Sequence, residues 1–283
     1  MFEGITPVDK MNGYYVKRED LAYWSSLDYP SGSKVRQYMT MAHYSSSHMQ
    51  GEDVFWPPCI VGCSANSAMA IYVAAAAKQL RTKGIVYTAA RKVRTDGIKY
   101  AEEMGAEIVE VKPGYLSLIR ARARARCLEL GQVVKWSPQA AIEDTMCQCQ
   151  NIPEGVKRIV IPTGSGLTAV GILAGLYKQG LKQLKVVIVA TSSMADHKSI
   201  RKRAFAAYPC LSDETTIFIP PTSEYNSYEV AALPDGTPLD PFYAAKAFKC
   251  LQEGDLFWPP GLRPVRAMPK DCREAFKEWR GPQ

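Results

Sequence analysis

Ile159-Val160-Ile161-Pro162-Thr163-Gly164-Ser165-Gly166-Leu167-Thr168 is the stretch that decides how this chain folds. Its first four residues read as a short buried strand, and an apolar helical run from Ala169 to Tyr177 follows the loop. A strand, a Gly/Ser/Thr loop and a helix N-terminus together make an anion site. Glycines let backbone N–H groups close on a phosphate, hydroxyls add donors, and the helix dipole favours negative charge. The loop lacks the Lys-Ser/Thr ending of a P-loop, so a nucleoside triphosphate is not expected here. Nor does it open a G-x-G-x-x-G unit with an acidic residue about 20 positions on, as a dinucleotide site would. The plainer alternative is an ordinary strand-to-helix turn.

Working outward, short β-rich runs alternate with helical patterns. Strands are predicted at Ile60–Gly62, Gly84–Tyr87, Glu107–Val111, Val133–Trp136, Arg158–Pro162, Lys185–Ala190 and Thr216–Ile219. Helices are predicted at Ala68–Leu80, Thr95–Met104, Tyr115–Leu130, Ala140–Gln150, Leu167–Tyr177 and His197–Ala207. The alternation argues an α/β fold with mostly parallel sheets, and Lys83–Glu110 reads as a βαβ crossover. Pro209 to Asp240 is turn-rich and reads as a surface wrap.

Three further stretches carry chemistry. Ser31-Gly32-Ser33-Lys34-Val35-Arg36, downstream of Lys17-Arg18-Glu19-Asp20-Leu21, puts Lys34 at the head of a predicted helix, Val35 to Met41. A lysine held there can form a Schiff base with an aldehyde cofactor, given close backbone approach and a lowered amine pKa. A surface lysine after a Gly-Ser turn is the alternative. Cys63-Ser64-Ala65-Asn66-Ser67 lies between a strand and an alanine-rich helix, where free N–H groups can meet a carboxylate; equally, Ser64 or Asn66 is only an N-cap. Pro238-Leu239-Asp240-Pro241-Phe242-Tyr243-Ala244-Ala245-Lys246 places Tyr243 near an Asp-Pro helix start, where core packing is the alternative role.

Together, and in this chain order, these stretches resemble the fold-type-II pyridoxal-phosphate enzymes (the tryptophan synthase beta-like superfamily), in particular the branch of aminocyclopropane-carboxylate deaminase and D-cysteine desulfhydrase. The resemblance spans Lys17 to the Leu256-Phe257-Trp258 strand. It implies pyridoxal 5'-phosphate held by a Lys34 Schiff base, with the phosphate on Gly164, Ser165, Gly166, Leu167 and Thr168. Asn66 would bond the cofactor's 3'-oxygen, and Ser64, Ala65 and Ser67 would face the substrate. Tyr243, with Tyr225 or Tyr228 upstream, would be an active-site tyrosine. The resemblance also implies two lobes, 39–150 and 1–38 plus 151–283, with the cofactor between them, and a homodimer.

Three departures bear on the reaction. The reactive serine of the deaminase loop corresponds to Ala65, which can neither give nor accept a proton. Ala244 follows the tyrosine where the family has Glu or Thr, and Pro259-Pro260-Gly261 replaces its Thr-Gly-Gly. The last two changes remove candidate partners for the pyridine nitrogen and disfavour a long-lived carbanion.

Composition sets the outer bounds. The 283 residues, 47% of them hydrophobic, suffice for about two domains with a sizeable core. No apolar run approaches the roughly 20 residues of a membrane span, and the start has no secretory pattern. Eight scattered cysteines suggest free thiols in a reducing, cytoplasmic compartment, and neither they nor the three histidines have metal-ligand spacing. The net charge of +7 includes Arg120, Arg122, Arg124 and Arg126, alternating with alanines. These are a solvated surface or a phosphate-binding one. Three functions follow: a pyridoxal-phosphate-dependent lyase or deaminase on a small amino acid; a decarboxylase or lyase on an amino acid attached to a modified nucleobase in DNA; or a non-catalytic descendant that keeps the fold.

Overall fold

Strands and helices alternate as the hydrophobic pattern requires in the computed structural model, which describes residues 4–22, 30–46, 56–131, 133–135, 137–191, 198, 200, 202, 216–220 and 227–278. In chain order the elements are β1 (Val8–Met11), β2 (Tyr14–Lys17), β3 (Ser31–Gly32), α1 (Ser33–Ser46), β4 (Cys59–Gly62), α2 (Met69–Gln79), β5 (Gly84–Ala89), α3 (Asp96–Glu103), β6 (Glu107–Val111) and α4 (Leu116–Leu130). Then come β7 (Val134–Lys135), α5 (Pro138–Cys147), β8 (Arg158–Thr163), α6 (Leu167–Lys178), β9 (Lys185–Ala190) and β10 (Thr216–Ile219). The chain closes with α7 (Ala244–Phe248), β11 (Asp255–Phe257), β12 (Gly261–Leu262) and α8 (Lys270–Glu278). The expected helix over 197–207 falls largely outside the described residues; Lys198, Ile200 and Lys202 within it are helical.

The chain divides into two compact units. The first holds the described residues of 30–137 and Arg263–Arg273; the second holds Gly4–Ala22, those of Pro138–Leu262, and 274–278. Against the expected lobes of 39–150 and 1–38 plus 151–283, segment 30–38 with the head of α1 packs in the first unit, and α5 packs in the second.

In the first unit a sheet of four described strands runs parallel in the order β6-β5-β4-β7. Helix α2 is buried from Ala70 to Ala77. A helix apolar on all sides belongs inside a fold, and α2 packs on α1, α3, β4 and β5. Its small side chains permit this: a Cβ at Gly84 of β5 would lie 3.1 Å from Ala77 Cβ. Helix α4 covers β4 and β5 by setting Ala123 against Ile60 and Ile85.

In the second unit a sheet of six described strands follows the order β1-β2-β11-β8-β9-β10, and within it only β1–β2 is antiparallel. Ile159, Val160 and Ile161 are wholly buried, as expected of a central parallel strand covered on both faces. The β1–β2 hairpin turns on Asn12 and Gly13, at φ 46° and 85°; Asn-Gly suits such a turn because both central residues need positive φ. Helix α5 lies along α6, where Gly171 and Gly175 leave room for Thr145 and Cys149.

The Lys17-Arg18-Glu19-Asp20 stretch is a structural clamp of this unit. All four are buried, and buried charge is tolerable only when partnered. Lys17 Nζ donates to Thr6 O (2.9 Å), Gln148 O (2.8 Å) and Asn151 Oδ1 (2.6 Å) and lies over the Trp258 ring. Arg18 pairs with Asp20, Asp9 and Asp235, and Trp258 Nε1 donates to Glu19 Oε1 at 3.1 Å. The lysine of this stretch thus fastens the N-terminal strands to the turn Gln148–Asn151 and to the strand end at Trp258.

Candidate active site

The phosphate-type loop is built in the second unit. β8 ends at Thr163, and its carbonyl accepts from Thr191 N (2.9 Å) and Thr191 Oγ1 (3.0 Å), fixing the loop to the end of β9. Gly164 is half-buried, Ser165 exposed, and Gly166, Leu167 and Thr168 buried. Gly166 sits at φ 82°, a left-handed conformation that side chains resist, and it turns the chain into α6. Val170 N donates to Gly166 O at 3.0 Å, so the N–H groups before it form the open first turn of a 12-residue helix. Donors converging at a helix start suit a phosphate.

Tyr243 borders this loop. A Cβ on Gly164 would lie 3.1 Å from Tyr243 Cε1 and 3.9 Å from its Oη, so the glycine leaves the space the ring takes. Asp240 sets the tyrosine's position: its Oδ1 accepts from Phe242 N (2.9 Å) and Tyr243 N (3.2 Å), and its carbonyl accepts from Ala245 N (3.0 Å). The Asp-Pro sequence therefore forms the turn that leads into α7, which begins at Ala244. Ala244 is fully buried and Ala245 nearly so, packed with Val160 of β8 in one cluster. A small residue at 244 follows from that close packing. Lys246, on the same short helix, is buried, and burial lowers its amine pKa. Tyr225 lies outside the described residues; Tyr228 is packed edge-on against Phe242, with ring centroids 6.3 Å apart.

Lys34 and the Asn66 loop belong to the first unit. Gly32, at φ 132°, takes the chain into α1, and Lys34 occupies that helix's first turn, half-buried. Its Nζ donates to Gln37 Oε1 at 3.0 Å, and Gln37 is only 1% exposed. The amine is therefore held by a neighbour one helical turn on. Residues 63–68 link β4 to α2, with Cys63 N bonded to Tyr87 O (3.0 Å) and Ser67 N to Ser64 O (2.9 Å). Two contacts brace this loop: Thr95 Oγ1 donates to Ala65 O (2.6 Å) and Arg263 Nη2 to Asn66 O (3.0 Å). Ser67 Oγ accepts from Met69 N at 3.2 Å, and the N-cap position of α2 is Ala68, not Ser64 or Asn66. Ala65 is buried, whereas Ser64, Asn66 and Ser67 are half-buried.

Several contributors are invisible in the sequence pattern. Gln37 is recoverable afterwards from its i,i+3 spacing to Lys34. Arg263 is remote in sequence from the loop it braces. Thr88, near the end of β5, is 1% exposed, and its hydroxyl has no hydrogen-bond partner among the described residues. Strand C-termini are where α/β sheets meet ligands, so Thr88 joins the candidates. No group of three or more His, Cys, Asp and Glu side chains among the described residues can hold a metal ion, and no described helix is long and apolar enough to cross a membrane.

No family model and no curated protein matches the chain by sequence. Solved structures do match. An ACC deaminase homologue superposes with a TM-score of 0.71 at 18% identity, over 92% of this chain and 90% of that one. The apo form of Escherichia coli diaminopropionate ammonia lyase gives 0.64 at 12% identity, over 98% and 87%. Processed threonine deaminase isoform 2 from Solanum lycopersicum gives 0.58 at 14%, over 97% and 83%. With its mostly parallel sheets and flanking helices, the chain has the tryptophan synthase beta-like fold of the fold-type-II pyridoxal-phosphate enzymes.

Proposed function

We propose that this protein is a pyridoxal-phosphate-dependent enzyme of the lyase or deaminase type, acting on an amino-acid substrate. The observation that carries the reading is the β8–Gly164–Ser165–Gly166–α6 turn, an anion cradle walled by Tyr243. The residues fit the cofactor: the cradle suits its phosphate, and Lys34 offers an amine at a helix head. When bound, pyridoxal phosphate draws electrons from the bonds of the substrate α-carbon. The protein residues supply the rest. Gly164, Ser165, Gly166, Leu167 and Thr168 grip the phosphate. Lys34 would hold the cofactor at its aldehyde and would serve as the base for the substrate α-proton at Nζ, with Gln37 orienting that amine. Asn66 binds the cofactor's ring oxygen, and Ser64 and Ser67 receive the substrate carboxylate beside the small Ala65. Tyr243 moves a proton to or from the leaving group. The solved structures that share the fold, deaminases and ammonia-lyases among them, favour this reaction class.

The test is spectral and covalent. Adding pyridoxal phosphate should give a visible absorbance band. Borohydride reduction should then fix the cofactor to the peptide carrying Lys34, and Lys34→Ala should lose both signals. A protein that stays colourless with excess cofactor, or that is labelled at another lysine, sinks the reading. Screening amino acids for released ammonia or keto acid then selects the substrate.

A further inference from the structure

Helix α4 has two apolar faces and uses only one. Among its 15 residues only Ile119 and Ala123 are buried, and they face β4 and β5. Leu118 and Leu128 are 58% and 85% exposed, and Ala121 and Ala125 between them are exposed too. These four sit at i, i+3, i+7 and i+10, the a and d spacing of a coiled-coil seam, with Ala123 on the opposite side. In the same register Arg122 falls at an e position and Arg124 at a g position, bracketing the seam, with Arg120 beside Arg124. Arg120, Arg122 and Arg124 are exposed and form no ion pair or hydrogen bond among the described residues. The single acid of the helix, Glu129, is already held by Arg126 at 2.8 Å.

We propose that this outward face of α4 docks an amphipathic helix of a protein partner, one with an apolar seam and glutamate or aspartate along both flanks. Charge selects this occupant. A second copy of α4 would set its arginine rows against arginines, with no free carboxylate between them. Nucleic acid would be met by arginines at the centre of the face, whereas here the centre is apolar and exposed leucines gain nothing from phosphates. A membrane surface favours bulky side chains along the apolar face, but Ala121 and Ala125 make the middle a shallow trough. A trough flanked by leucines admits another helix backbone closely.

The probe is a synthetic helix of about three heptads with leucine at a and d and glutamate at e and g, compared with the same peptide carrying lysine at e and g. Fluorescence anisotropy with the full chain should show binding of the glutamate peptide that weakens with added salt, and no binding of the lysine peptide. Leu118→Ser or Leu128→Ser should weaken it about tenfold, with melting temperatures matching the parent so that the loss is read at the surface. Arg122→Glu with Arg124→Glu should reverse the preference to the lysine peptide. Equal binding of both peptides, or unchanged binding by the leucine variants, overturns the proposal. So does a duplex DNA or a phosphatidylserine vesicle that binds while the glutamate peptide does not, or self-association of the parent that Leu128→Ser abolishes.

Discussion

Position 164 has almost no free space for a side chain, because Tyr243 already occupies it. Alanine there would bring Cβ to 3.1 Å from Tyr243 Cε1, a gap the ring must open by a few tenths of an ångström. The branched methyls of valine exceed that allowance and press on the ring and the phosphate side alike. We expect Gly164→Val to weaken pyridoxal-phosphate affinity at least about tenfold in a cofactor titration, and Gly164→Ala to weaken it less. Unchanged affinity in the valine variant would remove the loop from the site. Tyr243→Phe keeps the ring that packs on Gly164 and removes only the hydroxyl. Cofactor affinity should therefore hold while turnover falls roughly 100-fold or more, and wild-type turnover would leave Tyr243 a packing residue. The loop was legible because a strand, glycines and a helix start are a local pattern. The contact between Gly164 and Tyr243 was not, because it joins residues remote in sequence. Likewise Ala65 is readable as an absent hydroxyl, but the braces from Thr95 and Arg263 that hold its loop exist only in the folded unit.

At the scale of elements, helix α6 sets two opposing effects of one substitution against each other. Glycine in a helix interior costs about 1 kcal/mol relative to alanine, so Gly171→Ala stabilises the isolated helix. Against that, a Cβ at 171 would stand 2.5 Å from Thr145 Cβ and 2.9 Å from the Ile142 carbonyl oxygen. The backbone of α5 must move to admit it, and overpacking of this kind costs about 1–3 kcal/mol. We expect packing to win, with Gly171→Ala lowering the denaturant midpoint at an unchanged slope; a raised midpoint would mean the helices yield freely. The strands β6, β9 and β10 lie where the alternation of apolar runs puts them: β9 is a continuous buried β-branched run, and β6 and β10 are partly buried edge strands whose runs are still rich in β-formers. The β1–β2 hairpin lies where apolar patterning predicts no strand, although Asn12-Gly13 between two short runs is a hairpin signal. Mixed charges in Val8–Met11 masked the strand character, and pairing of β2 with β11 supplies what the local sequence lacks.

For the molecule as a whole, burial fixes protonation, and this makes a statement about stability. Lys17 is buried among three acceptors and over an indole, so its surroundings suit a cation. The buried thiols face the opposite condition. Burial raises Cys59, Cys63 and Cys149 from 9.0 to about 12, because a thiolate inside the protein loses its water. That free thiols abound was readable from the scatter of eight cysteines; which of them are silenced was not, since it depends on α2, β4 and α5 closing over them. The sign follows directly. Below about pH 9 both folded and unfolded chains carry the protons and the thiols contribute nothing. Between about 9 and 12 the unfolded chain releases protons that the folded one keeps, so stability falls as pH rises, by about 1.4 kcal/mol per thiol per pH unit. Tyr14, raised to about 12 by burial, adds to the fall above pH 10. Melting temperatures measured from about pH 7 to 11 should be level at first and drop beyond 9, and Cys149→Ala should make the drop shallower. At about pH 8 iodoacetamide should alkylate the exposed Cys147 and spare Cys59, Cys63 and Cys149 until denaturant is added. A level profile to pH 11, or early labelling of those three, would show that their surroundings open to water far more readily than their burial implies.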